Sequence, residues 1–137
     1  MLAAMNNPYQ PPDPQPGLVP SRTPFILAGI GALAASAYWA LLTLLIGVGV
    51  SGGGVSPTRI ILPIVLIGLY AVRGVQIFRG DARAAASILW LHGVGGVMAV
   101  IQMASGDPVL IALNAVKLLI HIFGGVTAYL AKKSVGG

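Results

Sequence analysis

The sequence predicts an all-α membrane protein: an antiparallel bundle of four membrane-spanning helices behind a disordered, Pro-rich N-terminal tail. Three observations carry that expectation. Apolar residues make up 56% of the 137 and charged residues only 8%, against about a quarter in a water-exposed fold. So few charges cannot cover a globular surface, and lipid must do the covering. The apolar sequence also falls into four runs, each close to the ~20 residues that cross a hydrocarbon layer. Finally, three of the four runs begin with a common grammar, a capping side chain followed by proline, which marks helix starts independently of hydropathy.

Residues 1–24 form the tail. Asn7-Pro8-Tyr9-Gln10-Pro11-Pro12-Asp13-Pro14-Gln15-Pro16-Gly17 is dense in proline, which blocks helix and ladder hydrogen bonds and predicts an extended, solvated segment. It has no apolar stretch of signal-peptide type. The transmembrane domain, residues 25–131, is read as spans over 25–50, 60–78, 84–104 and 109–131, with 132–137 a short second tail. Thr23-Pro24, Ser56-Pro57 and Asp107-Pro108 each set a capping oxygen before a proline suited to the first turn, and Asp81 caps the third helix. The connections Arg79-Gly80-Asp81-Ala82-Arg83 and Ser105-Gly106-Asp107-Pro108 are short enough to make the helices they join antiparallel neighbours. The first outer loop, Ser51–Val55, is glycine-rich, and no segment is long enough for a separate soluble domain.

Orientation follows from the lysines and arginines, which concentrate on the cytoplasmic side of membrane proteins. With four spans, Arg22, Arg79, Arg83, Lys132 and Lys133 share one side, and Arg59 alone stands on the other. Both termini are therefore expected on the cytoplasmic side. The net charge of +5 is spread singly and in pairs beside apolar runs, which is a topology signal and excludes nucleic acid as the expected partner. The chain contains no cysteine, and its three acids are Asp13, Asp81 and Asp107. Thiolate chemistry is excluded and paired-carboxylate catalysis is hard to build, so no enzymatic activity, no metal and no resident cofactor are expected.

Polar groups inside spans are costly and each needs a role. Helix four carries Asn114, Lys117 and His121 at spacings that put them on one face, turned toward the bundle. Helix three carries His92 and Gln102. Helix two carries Tyr70, Arg73 and Gln76, and helix one Ser36 and Tyr38. At ~1.5 Å of rise per residue, His92 and Tyr70 lie roughly 12 Å from the cytoplasmic ends and His121 roughly 15 Å. On the same rise, Tyr38 and Lys117 fall near ~20 Å, and Gln102 and Asn114 near ~26 Å. These layers predict pairing across helices. Lys117 has no acid within any span, so either its stem reaches toward the outer interface or it lies near Tyr38 and Asn114, where an uncharged form is open to it. Arg73, with Arg79 and Arg83, is placed to contact anionic lipid at the cytoplasmic face. Trp39, Trp90, Tyr129 and Phe25 read as packing or interface anchors.

Helices three and four repeat each other. Leu89-Trp90-Leu91-His92-Gly93-Val94-Gly95-Gly96-Val97-Met98-Ala99 and Leu118-Leu119-Ile120-His121-Ile122-Phe123-Gly124-Gly125-Val126-Thr127-Ala128 share the pattern L-x-x-H-x-x-G-G-V-x-A. In antiparallel helices this makes an inverted pair, with each histidine close to the other helix's glycine step, Gly95-Gly96 or Gly124-Gly125. Three readings stay open. The glycines serve close helix packing and the imidazoles bond within the bundle. Alternatively, the histidines are axial ligands of a b-type haem, or His121, Lys117 and Asn114 line a proton or ion path.

Met5-Asn6-Asn7-Pro8-Tyr9-Gln10-Pro11-Pro12 resembles the tails of small bacterial four-span membrane proteins in which an Asn-Pro-Tyr-x-Pro-Pro segment precedes the helices. Gly74-Val75-Gln76-Ile77-Phe78-Arg79-Gly80-Asp81-Ala82-Arg83-Ala84 is similar to their second inner hairpin. The resemblance covers the layout of the whole chain; it implies a place in a bacterial inner membrane and no known activity. It implies a start at Met5, with Met1–Ala4 an upstream extension. The expected role is that of a self-associating protein or an accessory subunit of a membrane complex, with homo-oligomers or other membrane proteins and the lipid bilayer as partners. The alternative is a small carrier, of electrons through haem at His92 and His121 or of protons or ions along helix four.

Overall fold

The computed structural model describes residues 21–49, 57–104 and 106–135. Most of the Pro-rich tail with the Met5 start, the Ser51–Val55 loop and the Ser56 cap lie outside the described residues. The rest is all-α: α1 (Thr23–Gly49), α2 (Pro57–Phe78), α3 (Ala82–Met103) and α4 (Pro108–Lys133). Each holds a segment long and apolar enough to cross a membrane, so this is a multi-pass membrane protein.

Local chemistry explains the helix starts. Asp81 Oδ1 accepts from the N–H groups of Arg83 and Ala84 at 2.8 and 3.0 Å. Asp107 Oδ1 does the same for Val109 and Leu110 at 2.8 and 3.1 Å. Each carboxylate thus satisfies two of the N–H groups that a helix start leaves unpaired, four at α3 and three at α4, where Pro108 has none. The start of α1 differs from expectation. Thr23 is its first helical residue, Arg22 C=O accepts the first turn's bond from Ile26 N–H at 3.0 Å, and the oxygen facing Thr23 N–H is Ser21 Oγ at 3.4 Å. Proline therefore sits one position further in, where its missing N–H still costs nothing. The two short turns depend on glycine: Gly80 and Gly106 hold φ of +88° and +78°, a region that a Cβ penalises.

In lipid, helix association relies on close packing rather than on burial from water, so small residues decide which faces meet. Gly31 and Gly124 mark the crossing of α1 and α4, where a Cβ on Gly31 would stand 2.7 Å from Gly124 Cα. Gly74 of α2 packs on Ala32 and Leu33 of α1, and Gly29 of α1 on the Phe78 ring. Ser36 Oγ, donating to Ile67 C=O at 3.0 Å, adds a hydrogen bond across the same pair. Around the bundle the order is α2, α1, α4, α3, with α1 packed along both α2 and α4 and α3 packed along α4.

One expectation needs correction. The turn between α2 and α3 is as short as predicted, yet the two helices touch only lightly. The tight glycine steps of α2 face α1 and those of α3 face α4, so no small-residue step remains to draw α2 and α3 together. Bulky Leu62, Val94 and Met98 stay exposed along this side. The bundle is therefore closed on three sides and carries a seam on the fourth.

Packing also differs along the axis. Ala28, Ile77, Ala84, Ile88, Ala128 and Ala131 are wholly inaccessible. All lie in the half nearer the end that holds Arg22, Arg79, Arg83 and Lys132, here termed the basic end. The buried Asn114 and Lys117 belong to the far half. An alanine-rich layer thus packs the basic half, with Thr127 as its buried polar side chain; His92, His121 and Tyr70 lie next along the axis, and Asn114 and Lys117 beyond them in the far half, where Ala99 is also fully buried.

Candidate functional site

The antiparallel pairing of α3 with α4 brings the two halves of the repeat face to face. His92 and His121 are 1% and 3% exposed, and their Nδ1 atoms are 3.0 Å apart. A Cβ at Gly95 would fall on the His121 ring, and one at Gly124 on the His92 ring. Each imidazole thus occupies space that the opposite helix's glycine leaves free, as the inverted repeat predicts. Tyr70 of α2 closes the cluster, its ring centroid 5.2 Å from His92 and 6.0 Å from His121. These are the three residues that the depth count put in one layer.

The contact dictates its own proton arrangement. An Nδ1···Nδ1 hydrogen bond needs one donor and one acceptor, so for neutral imidazoles one ring carries its proton on Nδ1 and the other on Nε2. Both Nε2 atoms are buried without a hydrogen-bond partner among the described residues. One is then a bare acceptor and the other an unmatched N–H, at a cost of about 1–3 kcal/mol each.

The haem expectation does not fit this geometry. Axial ligands must stand on either side of a flat macrocycle, whereas here the rings meet directly and each imidazole edge rests on glycine of the facing helix. No slot separates them. Among the described residues no three His, Cys, Asp or Glu side chains converge as metal ligands would.

Lys117 forms the second cluster, one turn along α4 toward the far end. It is 3% exposed, so its stem does not reach the interface. Lys117 Nζ donates to Gln102 Oε1 at 3.2 Å and stands 4.8 Å from the centre of the Trp39 ring, within cation–π range. The described carboxylates, Asp81 and Asp107, are held at helix starts, and Asp107 is ten residues from Lys117 along α4, about 15 Å of rise. A buried ammonium without a counter-ion is penalised by several kcal/mol. One amide oxygen and one aromatic face offset only part of that.

Two cavities adjoin this lysine. One, of about 330 Å³, lies between α1, α3 and α4 toward the far end, with Tyr38, Asn114, Gln102, Trp39 and Lys117 among its walls. The other, of about 270 Å³, enters from the α2–α3 seam past Leu62, Leu66, Val94 and Met98 and reaches Lys117, Gln102, Tyr70 and His121. A shallower apolar groove between α3 and α4 backs onto the histidines from the lipid side. Toward the basic end the cavities stop at the alanine-lined layer.

The other expected positions separate. Tyr38 Oη donates to Leu113 C=O at 3.2 Å and Asn114 Nδ2 to Leu110 C=O at 2.8 Å, so both line the cavity without bonding Lys117. Gln102, placed ~6 Å deeper by helical rise, reaches Lys117 instead, because two long side chains span that gap. Arg73 is half-buried and donates to Gln76 Oε1 at 2.9 Å. Arg79 and Arg83 are exposed around the basic-end turn. Trp39, read from sequence as an anchor, belongs to the site: it faces Lys117, lines both cavities, and its Nε1–H is buried without a partner among the described residues. The missed signal was its depth, one residue from Tyr38 and level with the only lysine inside a span. Comparison with protein-family models, curated proteins and solved structures gives no match.

Proposed function

We propose that this chain is a non-enzymatic accessory protein of a bacterial cytoplasmic membrane that binds a lipid-soluble molecule within its far half. Its basic end, with both termini, faces the cytoplasm. The observation that supports this reading best is the dead end. The polar cavities are lined by residues of the far half and the seam; toward the basic end Ala28, Ile77, Ala84, Ile88, Ala128 and Ala131, all fully buried, fill the way onward, and the buried Thr127 hydroxyl among them is turned back onto Phe123 and Gly124 C=O. A conduit for protons or ions along α4 needs polar groups or water through that layer. A binding site needs only an entrance, and the seam between α2 and α3 supplies one from the bilayer. Native mass spectrometry of the chain extracted in mild detergent tests the reading. A small-molecule adduct that survives detergent removal is expected, and a bare chain in repeated preparations would sink it.

Association with a second copy or another membrane protein is the second reading, favoured by a separate observation. Gly68 on α2 and Gly93 on α3 have open space where a Cβ would stand, and Gly68 floors an outward groove that ends at Arg73 and Gln76. Such faces admit a neighbouring helix closely. Multiples of the chain mass, or a second polypeptide, are the expected result of the same measurement.

A further inference from the structure

The binding reading leaves open what the cavity recognises, and the residues at its end narrow the choice. We propose that the cavity entered between α2 and α3 takes a single-chain amphiphile with a monoanionic carboxylate head, the head on Lys117 Nζ and the chain along the seam; this rests on the binding reading above.

Four observations converge. Lys117 is buried and as an ammonium carries three N–H donors, of which Gln102 Oε1 takes one; an anionic head beside it favours that charged form. No acid of the described residues stands near it, so an anion brought by a ligand would complete it. Trp39, on the same wall, contributes a second donor without a partner among the described residues. The entrance is apolar and lipid-facing, with Leu62 at 60%, Val94 at 63% and Met98 at 43% exposure, so what passes it carries a hydrocarbon chain. Finally, the charge count suits a carboxylate. One ammonium balances one negative charge, whereas a phosphate monoester brings about −1.5 to −2, and Arg73 is engaged by Gln76 in another groove. At about 270 Å³ the space takes a small head and the first part of one chain; the remainder lies against the exposed leucine and valine side chains of the seam.

The chain's two tryptophans, Trp39 and Trp90, provide the readout. Trp90 is 78% exposed, so Trp90→Phe leaves Trp39 as the sole indole, beside Lys117. In phosphatidylcholine vesicles, 9,10-dibromostearate should quench Trp39 saturably and at least tenfold more tightly than its methyl ester. Lys117→Gln should remove that preference and Lys117→Arg should keep most of it, which separates lost charge from lost fold. Oleate should displace the quencher, and single-chain lysophosphatidate should do so less well. Equal quenching by acid and ester, or an unchanged preference in Lys117→Gln, overturns the carboxylate assignment while leaving a binding cavity. Displacement by lysophosphatidate as good as by oleate overturns it in favour of phosphate. Quenching that never saturates for any brominated chain removes the binding reading itself.

Discussion

A single methyl group tests the histidine cluster. Gly124→Ala would press its Cβ onto the His92 ring at the position where Gly31 already packs on Gly124 backbone, and overpacking of this kind costs about 1–3 kcal/mol. Gly95→Ala meets the His121 ring in the same way. Gly93→Ala is the control, because nothing stands within 4 Å of its Cβ position; it should be neutral or stabilising by up to about 1 kcal/mol, the helix-propensity gain. Unfolding in detergent mixtures, followed by circular dichroism, gives all three values. Equal effects at Gly93 and Gly124 would mean that the imidazoles do not rest on the glycine steps. The pair itself is measurable by a double-mutant cycle with His92→Leu and His121→Leu, for which one neutral hydrogen bond predicts a coupling of about 0.5–1.5 kcal/mol. Strict additivity would show that the two Nδ1 atoms share no proton. Much of this cluster was legible in the sequence, because a repeated spacing of histidine and glycines on two antiparallel helices leaves little freedom in how they meet. The environment of Lys117 was less legible: its partner Gln102 lies beyond its layer, and a side chain of four methylenes makes depth along the helix a poor guide to contact.

At the scale of the helix, the ends are where sequence and structure agree most closely, since a cap is decided by neighbours within three residues. Asp81 and Asp107 each hold two N–H groups through one oxygen, so Asp81→Ala and Asp107→Ala should each cost about 1 kcal/mol. Their Asn variants should lose much less, since the amide oxygen still accepts. Ser21→Ala should fall below both, because that hydroxyl meets one N–H at 3.4 Å on an exposed turn. A Ser21→Ala penalty equal to the aspartate penalties would return the α1 cap to the significance that the Thr23-Pro24 pair suggested. Gly80→Ala belongs with this set: at φ +88° an alanine costs about 1–2 kcal/mol, and the loss should appear as a looser α2–α3 turn. Which helices lie side by side was not legible in the same way. Apolar residues surround α1 and α3 almost evenly, so neither helix declares its inner face. The choice of partner rests instead on a few glycines and alanines, whose contacts exist only once the bundle has formed.

For the whole molecule, the consequence of the packing is an uneven stability along the membrane normal, and hydrogen exchange reads it directly. Amides open with free energies set by how much contact surrounds them, from near zero at loose segments up to global unfolding in the core. In the basic half, α1, α2 and α4 meet around Ala28, Ile77 and Ala128, all at zero exposure, and α3 adds Ala84, Ala85 and Ile88. In the far half the seam between α2 and α3 leaves Leu62, Val94 and Met98 exposed, and α2 contains Pro63, which cannot donate the backbone bond of its own turn. Backbone amides of α2 near Leu62–Leu66 and of α3 near Val94–Gln102 should therefore exchange faster, by at least tenfold, than those near Gly74–Ile77 and Ala84–Ile88 of the same two helices. The comparison within one helix removes differences of detergent shielding between helices. Adding a carboxylate amphiphile should slow the far segments and leave the basic-half segments unchanged, because the ligand's contacts all lie on the seam side of Lys117. Uniform protection along α2 and α3 without ligand would mean that the seam is closed in the membrane, and the cavity would then have no lateral entrance.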